Sequence, residues 1–532
     1  MTENTETHSG KIARSAGSVS VAVMCSRVLG LAREQIFAAL FGAGFAYDAF
    51  IVAFRIPNLL RDLFGEGALS AAFVTVFSDY DANKGERATW RLASTVLVFL
   101  AMLISFLTLV GIYWAEDIVN LLAPEFHFYA GKTELTTQLT QIMLPFLFFV
   151  SMSAVVMGML NTKGHFFVPA LSSSFFNLGS IIGGVSMAWI LPRFGYPAIM
   201  GMAWGTLLGG ALQLMMQLPT LRLAGFRFIT RLNFHEPGLK KIMVLMLPAT
   251  IGLSATQINI FVNTNFAASC AQGSVSWLNY AFRLVQLPIG LFGVAFAIAA
   301  TPVLARHAAT KDISGLRQTF TSSLVMVFSL TIPASVALIL LGSPIIRLIF
   351  EHGAFTATDT LRTAEALSCY ATGLFAYSAI KVLVPTFYAI GKTRYPVIGS
   401  FLAVGANILI ISSTIDVLQH RAIALSTSAV MALNFFFLAV VLYRQLQGYP
   451  LRELLLGLVK ICFATLVMAA VLTGLLTVLD DWLQGMIIMQ FLAVLLLVTG
   501  GGAVYALALY LARLPEFIRL YQQVASRFNR PA

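Results

Sequence analysis

Six cations stand inside long apolar stretches of this sequence. Arg27 and Arg33 lie in the first stretch, Arg55 and Arg61 in the second, Arg283 in one centred near residue 292 and Lys381 in one centred near 375. An arginine at the centre of a bilayer costs about 2.5–3.5 kcal/mol, so five cost on the order of 15 kcal/mol, comparable to the net stability of a whole fold. Four acids sit among them, Glu34, Asp48, Asp62 and Glu66. They offset part of the cost, yet positive charge stays in excess. Excess guanidinium at low dielectric attracts an anion, and its planar fork suits phosphate. The chemistry these residues can do is to bind and pass an anionic, phosphate-bearing group.

Spacing arranges the charges. On a helix, residues seven apart nearly coincide in direction. Asp48, Arg55 and Asp62 therefore share one face, which Glu66 joins four residues later. From Asp48 to Glu66 the rise is about 27 Å, close to the hydrocarbon thickness. Arg61 points about 120° away from Arg55, as Arg33 does from Arg27, and Glu34 falls on Arg27's side. Pro57 removes one backbone hydrogen bond within this helix and is expected to bend it. A second reading of the same charges is structural. Asp48, Asp62 and Glu34 suit ion pairs that lock helices together, while Glu66 and Arg33 suit helix ends from which side chains reach the interface. Lys381 fits a structural or a functional role equally well.

The elements that must position these groups are membrane helices. The chain has 532 residues, of which 58% are hydrophobic and 11% charged, more apolar surface than a soluble protein of this length needs. About fourteen apolar segments follow, centred near 30, 60, 102, 147, 180, 208, 250, 292, 330, 375, 405, 433, 466 and 499. The first is too long, and too charged, for a cleavable signal peptide. With the N-terminus placed inside, 23 of the 34 Lys and Arg fall on the cytoplasmic side and five (Lys132, Arg193, Arg347, Arg362, Arg421) on the other, the six intramembrane cations making up the rest. This asymmetry puts both termini in the cytoplasm. It also explains the net charge of +11 as a topology signal, with no nucleic acid implied.

The sequence repeats itself. "AFRIPNLLRDLFG" (Ala53 to Gly65) returns as "AFRLVQLPIGLFG" (Ala281 to Gly293), and Ala71-Ala72 match Ala299-Ala300 at the same offset of 228. A looser echo pairs "NTKGHFFVP" (Asn161 to Pro169) with "AIGKTRYP" (Ala389 to Pro396). The expected fold is an all-α polytopic membrane protein of two six-helix lobes, 1–235 and 236–448, related by a pseudo-two-fold along the membrane normal. Residues 449–532 add two helices and a tail. In transporters built this way the substrate binds between the repeats near the midplane.

Catalysis finds little support. The seven histidines lack metal-ligand spacing, and no Walker A sequence is present. The four cysteines, Cys25, Cys270, Cys369 and Cys462, lie in or beside apolar segments and read as free thiols. "GSIIGG" from Gly179 reads as small-residue helix packing, not a dinucleotide loop.

At "SRVLGLARE" (Ser26 to Glu34), "DAFIVAFRIPNLLRDLFGEGALSAAFV" (Asp48 to Val74) and "GSVSWLNYAFRLVQLPIGLFGVA" (Gly273 to Ala295), the chain closely resembles the MurJ (MviN) family of lipid II flippases in the MOP exporter superfamily. The likeness runs from about residue 10 to 515. It implies fourteen helices and a central cationic cavity, worked by alternating access, that moves the lipid-linked peptidoglycan precursor to the outer leaflet. The family's functional arginines match Arg27 and Arg33 in helix one, Arg61 in helix two and Arg283 in helix eight; its helix-two aspartate matches Asp48. The family can carry Lys where Arg55 stands and Arg where Asp62 stands, and acids where this chain has Phe282 and Gln286. The last two apolar segments, Leu454–Leu479 and Met486–Leu511, would form a groove for the undecaprenyl tail. The resemblance implies a monomer in the bacterial inner membrane, among membrane lipids and open to contact with cell-wall synthesis proteins. It implies no cofactor, and leaves open a coupling ion, Na⁺, H⁺ or Cl⁻. Three rival readings stand beside it. One is a flippase for another polyprenyl-linked glycan of the O-antigen type, one a multidrug exporter of the same superfamily, one a non-transporting scaffold. Multidrug exporters typically handle cations, which the arginines would repel.

Overall fold

The structure, a computed structural model, describes residues 3–64, 68–230, 232–518 and 522. Every element among them is helical. This follows from solvent: in hydrocarbon each backbone N–H and C=O must be satisfied within its own segment. By chain contacts the molecule divides into two compact units, Met1–Val275 and Ser276–Ala532. The division falls one helix later than the 235/236 boundary taken from the repeat. Compactness and internal similarity are different criteria: the helix Pro237–Ala268 packs against elements of the first unit, whatever its place in the repeat.

The first unit contains α1 (Glu3–Phe41), α2 (Phe45–Phe64), α3 (Ala68–Asn83), α4 (Glu86–Tyr113), α5 (Ala115–Leu122), α6 (Lys132–Met143), α7 (Phe146–Thr162), α8 (Phe167–Ile190), α9 (Ile199–Leu223) and α10 (Pro237–Ala268). One core gathers Phe73, Phe77, Trp90, Val96, Leu147 and Met159 from α3, α4 and α7, with Ile242 of α10. The tightest pair is α8 on α9. A Cβ at Gly179 would stand 2.8 Å from the Cα of Gly209, and one at Gly205 would collide with the backbone of Gly184. Small residues let the two backbones touch, which replaces a hydrophobic drive that lipid cannot supply. The glycines from Gly179 onward thus serve packing. Helix α1 then lies on α8, where Asn177 donates to the carbonyl of Ser26 at 3.1 Å beside Gly30. That contact sets the rotation of the helix bearing Arg27 and Arg33.

The second unit holds α11 (Ser274–Pro288, its first two residues on the other side of the division), α12 (Ala295–Ala309), α13 (Ile313–Phe350), α14 (Ala357–Ala371), α15 (Leu374–Ala389), α16 (Arg394–Leu418), α17 (His420–Gln445), α18 (Leu451–Val478), α19 (Asp480–Leu483) and α20 (Ile487–Leu511). Its core runs through α12, α13, α15, α17, α18 and α20, with Phe320, Phe328, Phe387, Leu438 and Leu497 buried. Between α11 and α12 the chain makes one wide π turn, Ile289–Val294, without leaving the helical path. Pro288 explains its place: the ring removes an N–H and crowds the preceding turn, and a wider turn relieves that. Asp312 caps α13 by accepting from the Gly315 N–H at 2.9 Å, and this bond holds its carboxyl below the usual range. Trp277 of α11 donates to Asp359 of α14 at 2.8 Å, which fixes the helix that carries Arg283.

Among the described residues, ten helical runs are long and apolar enough to cross a membrane, or eleven if α14 and α15, bent by 43°, form one broken span. The count of fourteen is therefore not established by length and composition. The other three expected centres, near 30, 60 and 250, fall on α1, α2 and α10, all helical. On α2 the obstacle is chemical, since Asp48, Arg55, Arg61 and Asp62 all fall within Phe45–Phe64, the very charges that raised the question of function. The two expected C-terminal segments are α18 and α20, packed on α13; Tyr505 donates to the carbonyl of Ser329 at 2.5 Å.

Candidate functional site

Helix α2 is amphipathic in an unusual sense: one end of its charged face is sealed and the other is open. Asp48 is 1% exposed. Its Oδ2 accepts from the Lys132 ammonium at 3.2 Å and from the Gly273 N–H at 2.8 Å. Lys132, also 1% exposed, lies over the rings of Phe126, Tyr129 and Phe45 at 4.1, 4.9 and 5.7 Å. Such rings attract a desolvated ammonium, so the cation is held by one carboxylate and three faces. This knot ties α2 to α6 and to the connection that leaves α10. Asp48, expected among the substrate contacts, is occupied here as a structural partner.

Further along α2, Arg55 is half-buried and Pro57 lies buried inside a helix assigned without interruption from Phe45 to Phe64. Arg61 and Asp62 are partly open, with side-chain exposures of 26% and 33%. Arg61 donates twice to one oxygen of Asp62, from Nη2 at 3.1 Å and Nε at 3.4 Å. The other oxygen accepts from Gln257 of α10 at 3.1 Å. Seven-residue spacing put Asp48, Arg55 and Asp62 on one stripe, but the stripe is not uniform: its acids serve different neighbours. Glu66 lies outside the described residues.

On α1, Arg33 pairs with Glu34 at 2.8 Å, and Glu34 also accepts from the Tyr47 hydroxyl at 3.0 Å. The spacing that put Glu34 on Arg27's side does not decide its partner, because Glu34 is 6% exposed and faces α2 instead. Arg33 further lies over Phe37 and Phe176 at 5.9 and 5.4 Å. Its guanidinium is thus held by a carboxylate and lies beside two rings, largely buried, and not at a helix end reaching for the interface as weighed for it. Arg27 differs: it is exposed and makes no hydrogen bond or ion pair among the described residues. In the second unit, Arg283 of α11 is exposed, and so is Lys381 of α15. Arg27, Arg61, Arg283 and Lys381 therefore present cationic groups to their surroundings, while Arg33 and Lys132 are committed inward. Among the described residues no group of His, Cys, Asp and Glu could hold a metal ion.

The family profile described as lipid II flippase MurJ matches residues 37–518. The chain belongs to this MurJ family. Its relatives include a protein of Vibrio cholerae described as a probable lipid II flippase MurJ, 34% identical over 513 residues, covering 95% of this chain and 97% of that one. Another is the lipid II flippase MurJ of Burkholderia cenocepacia, 34% identical over 462 residues, with 86% and 88% covered. Among solved structures, a lipid II flippase MurJ in an inward closed conformation superposes with a TM-score of 0.74 at 28% identity, covering 92% of this chain and 97% of that one. An inward-facing MATE multidrug transporter of the MOP superfamily superposes at 0.65 and 17% identity, covering 81% and 99%, a likeness of fold alone. The chain is accordingly an all-helical, multi-pass membrane protein of the MurJ family.

Within this MurJ-family frame, four participants escaped the sequence reading: Lys132, Tyr47, Gln257 and Gly273. Lys132 carried a usable signal. It is one of five cations on the sparse side, and Asp48 lies at the corresponding end of its segment, so topology had put both at one level. Tyr47, a residue before Asp48, has no such mark. Gln257 and Gly273 reach Asp62 and Asp48 from 195 and 225 residues away, which spacing along one helix cannot show.

Proposed function

We propose that the chain is a flippase that carries lipid II from the inner to the outer leaflet of the bacterial inner membrane. The observation that carries this reading is the MurJ-family match over residues 37–518. Arginines that are exposed or partly open supply its chemistry. Arg27, Arg61 and Arg283 contact the pyrophosphate of the headgroup, with Arg55 and Lys381 contributing positive potential, while the undecaprenyl tail stays in lipid. Transport runs by alternating access, in which these cations meet the two faces of the membrane in turn. Both termini face the cytoplasm, as the cation asymmetry implies. The chain works as a monomer, makes and breaks no covalent bond, and stays open to contact with cell-wall synthesis proteins. A flippase for an O-antigen-type lipid would need the same cations, and comparing the binding of the two lipids separates them. The direct test is genetic: expression of this chain should restore growth to cells depleted of their own lipid II flippase, and failure at normal membrane levels would overturn the reading.

Asp62 occupies two edge donors of Arg61 through a single oxygen, so an incoming phosphate must displace or share that carboxylate. Lys keeps the charge and loses the fork. Arg61→Lys is expected to lower transport about tenfold, the worth of about 1.4 kcal/mol. Equal transport by the two proteins across a range of lipid II concentrations would show that potential alone suffices.

Outward flipping should also follow the membrane potential. The headgroup carries pyrophosphate and peptide carboxylates, so at least two negative charges move outward with it. One charge through 100 mV is worth about 2.3 kcal/mol, and two gain about 4–5 kcal/mol with the inside negative. In sealed vesicles with potential and ion gradients set independently, dissipating the potential should slow flipping strongly. A rate that holds, and instead tracks a Na⁺, H⁺ or Cl⁻ gradient, would assign the drive to ion coupling.

A further inference from the structure

The segment joining α9 to α10 lies beyond the end of one span and before the start of the next, yet it is firmly seated. Phe226 meets Trp90 edge-on at 5.5 Å, and the Ile229 N–H donates to Ser94 at 3.0 Å. Glu236 accepts from Tyr80 at 3.1 Å and pairs with Arg91 at 3.5 Å. The segment is thus not a loose strand that exposes side chains by default. Even so, Phe228 is 54% exposed and Phe234 45%. Aromatic rings held open beyond the ends of the spans belong at a membrane interface, where an apolar body meets a wet rim.

Charge points the same way. Between Arg222 and Lys241 the sequence has five Lys or Arg and one acid, Glu236. That acid is buried and turned inward to Tyr80 and Arg91, so it does not screen the surface. Arg222, Arg227, Lys240 and Lys241 are exposed. Lys241 meets Asp79 at 3.4 Å, an open pair that yields readily to another anion. We propose that this connection is an anionic-lipid site: Phe228 and Phe234 seat in the bilayer interface, and Arg222, Arg227, Lys240 and Lys241 hold the phosphates of anionic phospholipid headgroups. A free polyanion would use the cations but leaves the two rings without a reason to be open.

The test uses the full chain with its four cysteines replaced by alanine and Phe228→Cys or Phe234→Cys carrying a spin label, in nanodiscs of phosphatidylglycerol with phosphatidylcholine or of phosphatidylcholine alone. With phosphatidylglycerol present, the label should collide several-fold more often with oxygen than with a water-soluble nickel chelate. In pure phosphatidylcholine, or after Arg222→Gln, Arg227→Gln, Lys240→Gln and Lys241→Gln together, it should become aqueous. An aqueous label in both bilayers would overturn the site and leave a soluble polyanion as its partner. A label equally seated in both bilayers and in the fourfold variant would overturn the role of the cations. Native mass spectrometry gives an independent readout without cysteine changes. From an equimolar bilayer the unmodified chain should retain phosphatidylglycerol over phosphatidylcholine, and the fourfold variant should lose that excess; equal retention would overturn the proposal.

Discussion

Alanine at Arg27, Arg61 or Arg283 is expected to leave the chain in the membrane at near-normal levels and to abolish its support of growth in cells depleted of their lipid II flippase. The two halves of this outcome have separate causes. Arg27 and Arg283 are exposed, so truncation opens no cavity in a packed core. Arg61 leaves behind Asp62, whose second oxygen is still held by Gln257. Folding therefore loses little. Function loses a charge-assisted contact to phosphate worth about 1.5–3 kcal/mol, or about ten- to a hundredfold in transport for each arginine. Immunoblotting of membranes checks the first half and growth on depletion checks the second. Normal growth of all three variants would remove these arginines from the mechanism.

Removing one member of the buried pair between Asp48 and Lys132 is expected to destabilise the first unit by about 3–5 kcal/mol, because it leaves an uncompensated charge in a dry site. Lys132→Met and Asp48→Asn should each lower the thermal midpoint of the purified protein strongly. The double variant Asp48→Asn/Lys132→Met should recover most of the loss, since no buried charge is then unmatched. It also separates two roles for Asp48. If the carboxylate serves to hold α6 and the Gly273 turn against α2, the double variant should transport lipid II at a substantial rate. If Asp48 must contact substrate, the double variant should be stable and inactive. The geometry supports the first outcome, as Lys132 and the Gly273 N–H both engage the carboxylate and the residue is 1% exposed.

Much of this arrangement was legible because intramembrane charge is rare and costly. Arg27, Arg55, Arg61 and Arg283 stand out against apolar surroundings without any structure, and the AFR…LFG repeat ties α2 to α11. Helical phase was less informative than it looked. Glu34 and Asp62 take the arginine next to them in sequence, because a long flexible guanidinium stem reaches around its helix, an option that a rigid wheel of directions ignores. What lay outside the sequence's reach were tertiary contacts: Gln257 and the Gly273 N–H arrive through the packing of α10 on the first unit. The π turn after Pro288 was half legible. The proline marks where regular bonding fails, but whether the helix breaks, bends or widens depends on what packs around it. Pro57 sits within a helix that runs unbroken from Phe45 to Phe64.

The most direct measurement of the central claim is lipid II translocation in proteoliposomes that contain only this chain, with an inside-negative potential imposed and outer-leaflet lipid II read by an impermeant probe of its headgroup. Lipid II placed in the inner leaflet should become accessible at a rate proportional to the amount of protein. An O-antigen-type lipid should not, and Arg27→Ala, Arg61→Ala and Arg283→Ala vesicles should stay near the protein-free rate. Protein-independent appearance of lipid II, or equal rates for the unaltered chain and all three variants, would contradict the account.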